Sequence, residues 1–142
     1  MILLVHAAAT LFMTGLIWFV QIVHYPLYDR VGSREFPRYE TDHAALTTLV
    51  VGPVMLVELV SAGALLVFRP AAVSPVAVWA GGVLLGVIWF STAFLQIPAH
   101  AILSAAYDAE AHRQLVSTNW IRTAAWTLRS LLVLWMLARA MD

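Results

Sequence analysis

The sequence predicts an all-α integral membrane protein, a single four-helix bundle in antiparallel up-down order, and three observations carry that prediction. Hydrophobic residues make up 62% of the 142 positions and charged residues only 11%, far from the composition of water-soluble domains. Four apolar runs fill most of the chain: Ile2 to Val23, Ala44 to Phe68, Ala71 to Ile97 and Trp120 to Ala138. Each is close to or above the roughly 20 residues that a helix needs to cross a hydrocarbon core about 30 Å thick. Within each run the polar residues recur at the three-to-four spacing of one helix face, the pattern of side chains turned into a bundle.

Helices are expected at about 2–25, 44–68, 74–97 and 116–139, all in one domain spanning 1–142. No basic segment precedes the first run, which is longer than the apolar core of a secretory signal, so it reads as a retained helix. Residues 26–43 hold Asp29, Arg30, Arg34, Glu35, Arg38, Glu40 and Asp42 and read as a polar connection. The stretch around Arg69, Pro70 and Pro75 is so short that the second and third helices must be neighbours. Residues 98–115 read as an interfacial segment carrying a short helix near Ala99 to Arg113. A two-fold internal repeat of helix pairs is suggested by Gly15-Leu16-Ile17-Trp18-Phe19, echoed 71 residues later by Gly86-Val87-Ile88-Trp89-Phe90.

Eight basic and eight acidic residues cancel, which gives no sign of nucleic-acid binding, and the absence of cysteine excludes disulfides and thiolate chemistry. Arg30, Arg34, Arg38 and Arg113 fall in the two long connections, against Arg69 and Arg139 at the other ends, so the positive-inside rule places the long connections in the cytoplasm.

The inward faces are expected to hold Thr10, Thr14, Gln21 and His24 on the first helix and His43, Thr47 and Glu58 on the second. The third contributes Gly82, Gly86, Trp89, Gln96 and His100, and the fourth Asn119, Arg122, Trp126 and Arg129. Alternating helix direction gathers Gln21, His24, Tyr25, His43, Gln96, His100, Asn119, Trp120 and Arg122 at one end, where a polar pocket opens. Imidazole is the commonest metal ligand, so His24, His43 and His100 are candidates for a metal or haem iron, or for proton transfer with Glu40 or Asp42 beside them. His112 is expected to be dispensable. Glu58 and Arg129 are the deepest charges and stand at similar depth; either alone in hydrocarbon costs on the order of 3 kcal/mol, so they are expected to pair.

Gln21-Ile22-Val23-His24-Tyr25-Pro26, Phe36, Tyr39, His43, Gly52-Pro53, Glu58 and Asn119-Trp120-Ile121-Arg122-Thr123 resemble a group of small, uncharacterised four-helix bacterial membrane proteins across nearly the whole chain. The Asn-Trp-x-Arg segment is more distantly similar to anthrone-oxygenase-like membrane proteins. His6, the polar first loop and Pro53 are similar to the haem-associated protoporphyrinogen-oxidase and copper-resistance-D group. These likenesses imply an inner-membrane protein with redox chemistry on apolar substrates, and in the haem-associated group the position matching His6 ligates iron. The lysine-bearing part of that pattern is absent, because all eight basic residues are arginine.

The leading functional reading is a small membrane oxidoreductase or cofactor-assisted enzyme acting on an apolar small molecule that enters from the bilayer. His24 and His43 would be ligands or general base, and Arg122 would hold a polar head group, with Asn119 and Gln96 donating hydrogen bonds and Tyr25, Trp120 and Trp126 around the substrate. A second reading is a non-catalytic accessory protein that binds lipid, quinone or haem. The third is a proton-coupled transporter working as a homodimer, with Glu58 and Arg129 on the path. Single cysteines at Glu35 and Glu110 are expected to label from the same side of intact membranes, and labelling from opposite sides would overturn the four-crossing reading.

Overall fold

The computed structural model describes residues 1–141, Asp142 lying outside them. Among these residues the structure is all-α, with no strand. Four helices are long and apolar enough to cross a membrane: α1 (Ile2–Arg30), α2 (Phe36–Phe68), α3 (Pro75–Ala105) and α4 (Ala109–Met141). At 33 residues each, α2 and α4 extend about 50 Å, well beyond the hydrocarbon thickness of about 30 Å.

The extra length comes from polar segments. The expected connection at 26–43 is largely helical: α1 runs on through a 3₁₀ turn, Tyr25–Arg30, and α2 begins at Phe36. Phe36 and Glu40 are fully buried while Arg38, Thr41 and Asp42 face out, so this first part of α2 is an amphipathic helix. Residues 98–115 likewise form no separate interfacial helix. Instead α3 continues to Ala105, Ala106 is extended, and α4 starts at Ala109 with the Asp108 carboxylate accepting from the Ala111 N–H at 2.7 Å. Between α2 and α3, Ser74 caps the helix by accepting from the Ala77 N–H, with Pro75 at the first helical position.

Three layers of packed side chains fill the bundle. One joins Leu3, Ala7, Leu65, Ala77, Val133 and Met136. The middle layer joins Met13, Ile17, Met55, Ile88 and Trp126. At the end bearing the polar residues, Tyr25, Tyr28, Phe36, Leu103 and Leu115 pack together. The outer faces are apolar, with Leu46, Leu49, Val60, Val67, Val83, Phe90, Phe94 and Leu131 all exposed, as lipid contact requires and water would not favour.

Between the first two layers Glu58 and Arg129 meet, as their shared depth predicts. Glu58 Oε1 accepts from Arg129 Nε at 3.0 Å and from the Thr10 hydroxyl at 2.8 Å, and Oε2 accepts from Trp126 Nε1 at 3.1 Å. Arg129 Nη1 also donates to the Gly81 carbonyl, which brings in α3. Since arginine only donates, Arg129 Nη2 at 3.2 Å makes His6 Nε2 an acceptor, so His6 Nδ1 carries the proton and donates to Ser61 Oγ at 2.8 Å. Both nitrogens of His6 are thus engaged within the protein, and ligating iron there would break one of these bonds. Gly82 and Gly86, expected inside, are exposed; the neighbouring Gly81 faces Arg129 and Leu132 instead.

Glu58→Ala is expected to destabilise the bundle by about 3–5 kcal/mol, because it leaves the Arg129 charge buried and unpaired. Combining it with Arg129→Ala should recover part of the loss. Unfolding in mixed micelles measures both, and additive losses would count against direct pairing.

Candidate functional site

Two wide turns shape the polar end. Val20–His24 in α1 and Thr92–Gln96 in α3 are π-helical, and each stands just before a proline, Pro26 or Pro98. Proline has no N–H to donate and its ring crowds the carbonyl four residues back, and one extra residue in the turn relieves both problems without ending the helix. The widened turns leave Gln21 and Tyr25 of α1, and Gln96 of α3, buried in the bundle interior, with His100 one turn beyond.

Arg122 of α4, 7% exposed, stands at the centre of these residues. Its Nε donates to Asn119 Oδ1 at 2.9 Å, and Nη2 donates to Gln96 Oε1 and to the Tyr25 oxygen, both at 3.3 Å. Asn119 is itself fixed by donating to Gln21 Oε1 at 2.9 Å, and Gln96 by donating to the Thr118 hydroxyl at 2.8 Å. Among the described residues no carboxylate forms an ion pair with Arg122. A buried guanidinium held only by neutral oxygens keeps its charge available to whatever lies beside it.

From Arg122 the hydrogen bonds continue in one direction. Tyr25, accepting from Arg122, donates its hydroxyl proton to His100 Nε2 at 2.9 Å, and His100 Nδ1 donates to the Glu40 carboxylate. In this direction the Tyr25 hydroxyl and His100 Nδ1 each donate one proton, and the Glu40 carboxylate is the final acceptor. Glu40 is completely buried, and its second oxygen, Oε2, has no hydrogen-bond partner. Next to this chain His24 Nε2 and His43 Nδ1 are 2.9 Å apart, with the Thr47 hydroxyl 3.1 Å from the same His43 nitrogen. Potential ligand atoms of Glu40, His43 and His100 all lie within 4.8 Å of one another, so these three residues, more than the histidines alone, are placed to hold a metal.

A cavity of about 520 Å³ opens from this cluster, in the size range of small-molecule sites. Met13, Ile17, Val20, Val51 and Met55 form apolar walls, and Tyr25, His43, Gln96, His100 and Arg122 form a polar head. Thr48, Ile97 and Ala101 line it and are also exposed, which puts the mouth between α2 and α3 on the outer surface of the bundle. Trp126 closes the far end, its indole N–H turned away to Glu58, while Trp89 lines the wall with its own N–H buried and unpartnered.

Several expected site residues fall elsewhere. Trp120 is 46% exposed and packs edge-on against Trp18 at 5.7 Å, outside the bundle and away from the cavity. Gln21 and Asn119 act behind Arg122 and do not line the cavity, and His24 reaches it only through His43. Glu58 and Arg129 lie beyond Trp126, in the bundle's own bracing. His112, expected to be dispensable, is buried and its Nε2 donates to the Tyr25 carbonyl at 2.8 Å, at the start of the 3₁₀ turn. Glu40 was visible in the sequence only as a nearby acid; its spacing of three and seven residues from His43 and Thr47 is the helical signal that places it on the same face.

His112→Ala is expected to cost about 1–3 kcal/mol by leaving that carbonyl unsatisfied. A thermal unfolding midpoint equal to that of the unaltered chain would show the bond to be without weight.

Comparison with models of protein families, with curated proteins and with solved structures finds no match, so no relative's activity bears on this chain.

Proposed function

We propose that this chain is an integral protein of a bacterial-type inner membrane, an antiparallel up-down bundle that binds an apolar molecule laterally from the bilayer and acts on its oxygen-bearing head group, as an oxidoreductase-like or cofactor-assisted enzyme. The antiparallel order is supported by contacts that climb α1 while descending α2: His6 with Ser61, Thr10 with Glu58, His24 with His43. A duplicated helix pair gains support from the matching π turns before Pro26 and Pro98. Arg30, Arg34, Arg38 and Arg113, all at the end bearing the candidate site, support a cytoplasmic side for that end.

One observation carries the functional reading: Arg122 is buried, has no carboxylate partner among the described residues, and stands at the head of an apolar cavity. A carbonyl or oxyanion at that position gains a charge-assisted hydrogen bond, and the Trp89 N–H offers a second donor. Tyr25 is then the group next to the head, able to give or take a proton through His100 and Glu40. A quinone has this combination of ring, oxygen and apolar tail. The accessory-protein reading shares the same cavity and differs only in leaving the bound molecule unchanged. Less supports the transporter reading, since Glu58 and Arg129 are consumed by bonds within the protein.

A short-chain quinone is expected to quench part of the tryptophan fluorescence saturably in nanodiscs. Arg122→Gln should weaken that binding about 10- to 100-fold, the equivalent of a charged hydrogen bond at about 1.5–3 kcal/mol. Unsaturable quenching, or full affinity in the variant, would remove the basis of the proposal. Mass spectrometry of the bound molecule after incubation separates chemistry from storage.

A further inference from the structure

We infer that Glu40, His43 and His100 form a binding site for one divalent first-row transition-metal ion, with its open coordination positions facing the cavity. The inference deepens the proposed reading of the cavity as a reaction site and supplies its cofactor.

Three independent features converge. The first is the donor set: one carboxylate and two imidazoles, brought together from α2 and α3 within 4.8 Å. Ligands around one such ion stand about 3–4 Å apart, given bond lengths near 2.0–2.2 Å, so small side-chain rotations close the site. Imidazole with carboxylate suits iron(II), zinc or cobalt(II), and the lack of any thiolate disfavours copper(I).

The second is the unmet demand of Glu40. A fully buried carboxylate is among the costliest groups to leave uncompensated, yet one oxygen has no hydrogen bond of regular geometry, the buried Tyr28 hydroxyl beside the carboxylate being likewise unsatisfied, and the other bonds to His100. A cation between Glu40 and His100 replaces the single shared proton and satisfies both.

The third is the outer ring of partners. A metal-binding histidine characteristically has its other nitrogen held by a hydrogen bond. His43 Nδ1 is held by His24 at 2.9 Å, leaving Nε2 for the metal; His100 Nε2 lies 2.9 Å from the Tyr25 oxygen and donates to it once Nδ1 binds the metal in place of its proton. His24, a ligand in the sequence reading, thereby becomes the residue that orients one. His43 and His100 both line the cavity, so the remaining coordination positions meet the head of a bound molecule beside Arg122.

Titration of tag-free, chelator-treated protein in detergent with cobalt(II), with no apolar ligand added, tests this directly. One cobalt per chain is expected, with visible ligand-field bands that zinc(II) suppresses. Glu40→Gln and His100→Gln should each weaken binding by about 10- to 100-fold or more, and His24→Ala by about 10-fold, with far-UV circular dichroism and elution volume reporting the fold. Absence of a stoichiometric band from the unaltered protein overturns the site whatever the variants do, as does unchanged affinity in folded Glu40→Gln. Quinone quenching measured on the chelator-treated protein keeps the two proposals apart: saturable quenching without cobalt binding sinks the metal site alone, and cobalt binding without quenching sinks the cavity reading alone.

Discussion

The Glu58 carboxylate is the constraint on which the rest of the structure depends. Its two oxygens accept from Thr10 on α1 and from Trp126 and Arg129 on α4, and Arg129 reaches the α3 backbone at Gly81, so one buried group on α2 engages all four helices. Apolar faces slide past one another at little cost, since lipid and leucine are nearly equivalent neighbours; polar bonds in such surroundings are what select a register. Once Glu58 is fixed, Trp126 is fixed with it, one turn further Arg122 is set at the cavity head, and His43 and Glu40 follow along the same face of α2. The bracing and the candidate site are therefore one mechanical unit joined by an indole ring.

Hydropathy and helical spacing made the four helices legible, along with the pairing of Glu58 with Arg129 and the gathering of His43, His100, Tyr25, Gln96 and Arg122 at one end. They failed where polarity and helicity part company. The first turns of α2 and α4 are too polar to be recognised as membrane helix, although Phe36 and Glu40, or Ala111 and Leu115, keep the buried face continuous. Glu40 was consequently read as part of a wet connection when it is among the most deeply buried acids in the chain.

A second loss came from phase. Reading the inward face of α3 backward from Gln96 and His100 gives Trp89, Gly86 and Gly82; Trp89 does line the cavity, but beyond it the inward residues are Leu85 and Gly81 in place of Gly86 and Gly82. The offset is one residue at both positions, the size of the insertion that a π turn makes, and it appears only on the far side of Thr92–Gln96. Trp120 shows the same sensitivity without a bulge: one position from Asn119 is about 100° around a helix, enough to move a side chain from the interior to the outside.

The indole of Trp126 and the ion pair behind it also act as a seal. Layers of Leu3, Ala7, Leu65 and Val133 fill the bundle beyond, and the cavity on the near side touches them nowhere. Protons exchanged by Tyr25 and His100 have the end bearing the arginine-rich turns as their near exit, because packed apolar layers and the Glu58–Arg129 pair stand between them and the other end. In a bilayer this would make the proposed chemistry sided: an apolar substrate would enter in the plane of the membrane while protons exchanged with a single compartment, so any turnover that takes up or releases protons would raise or drain a pH difference in a fixed direction.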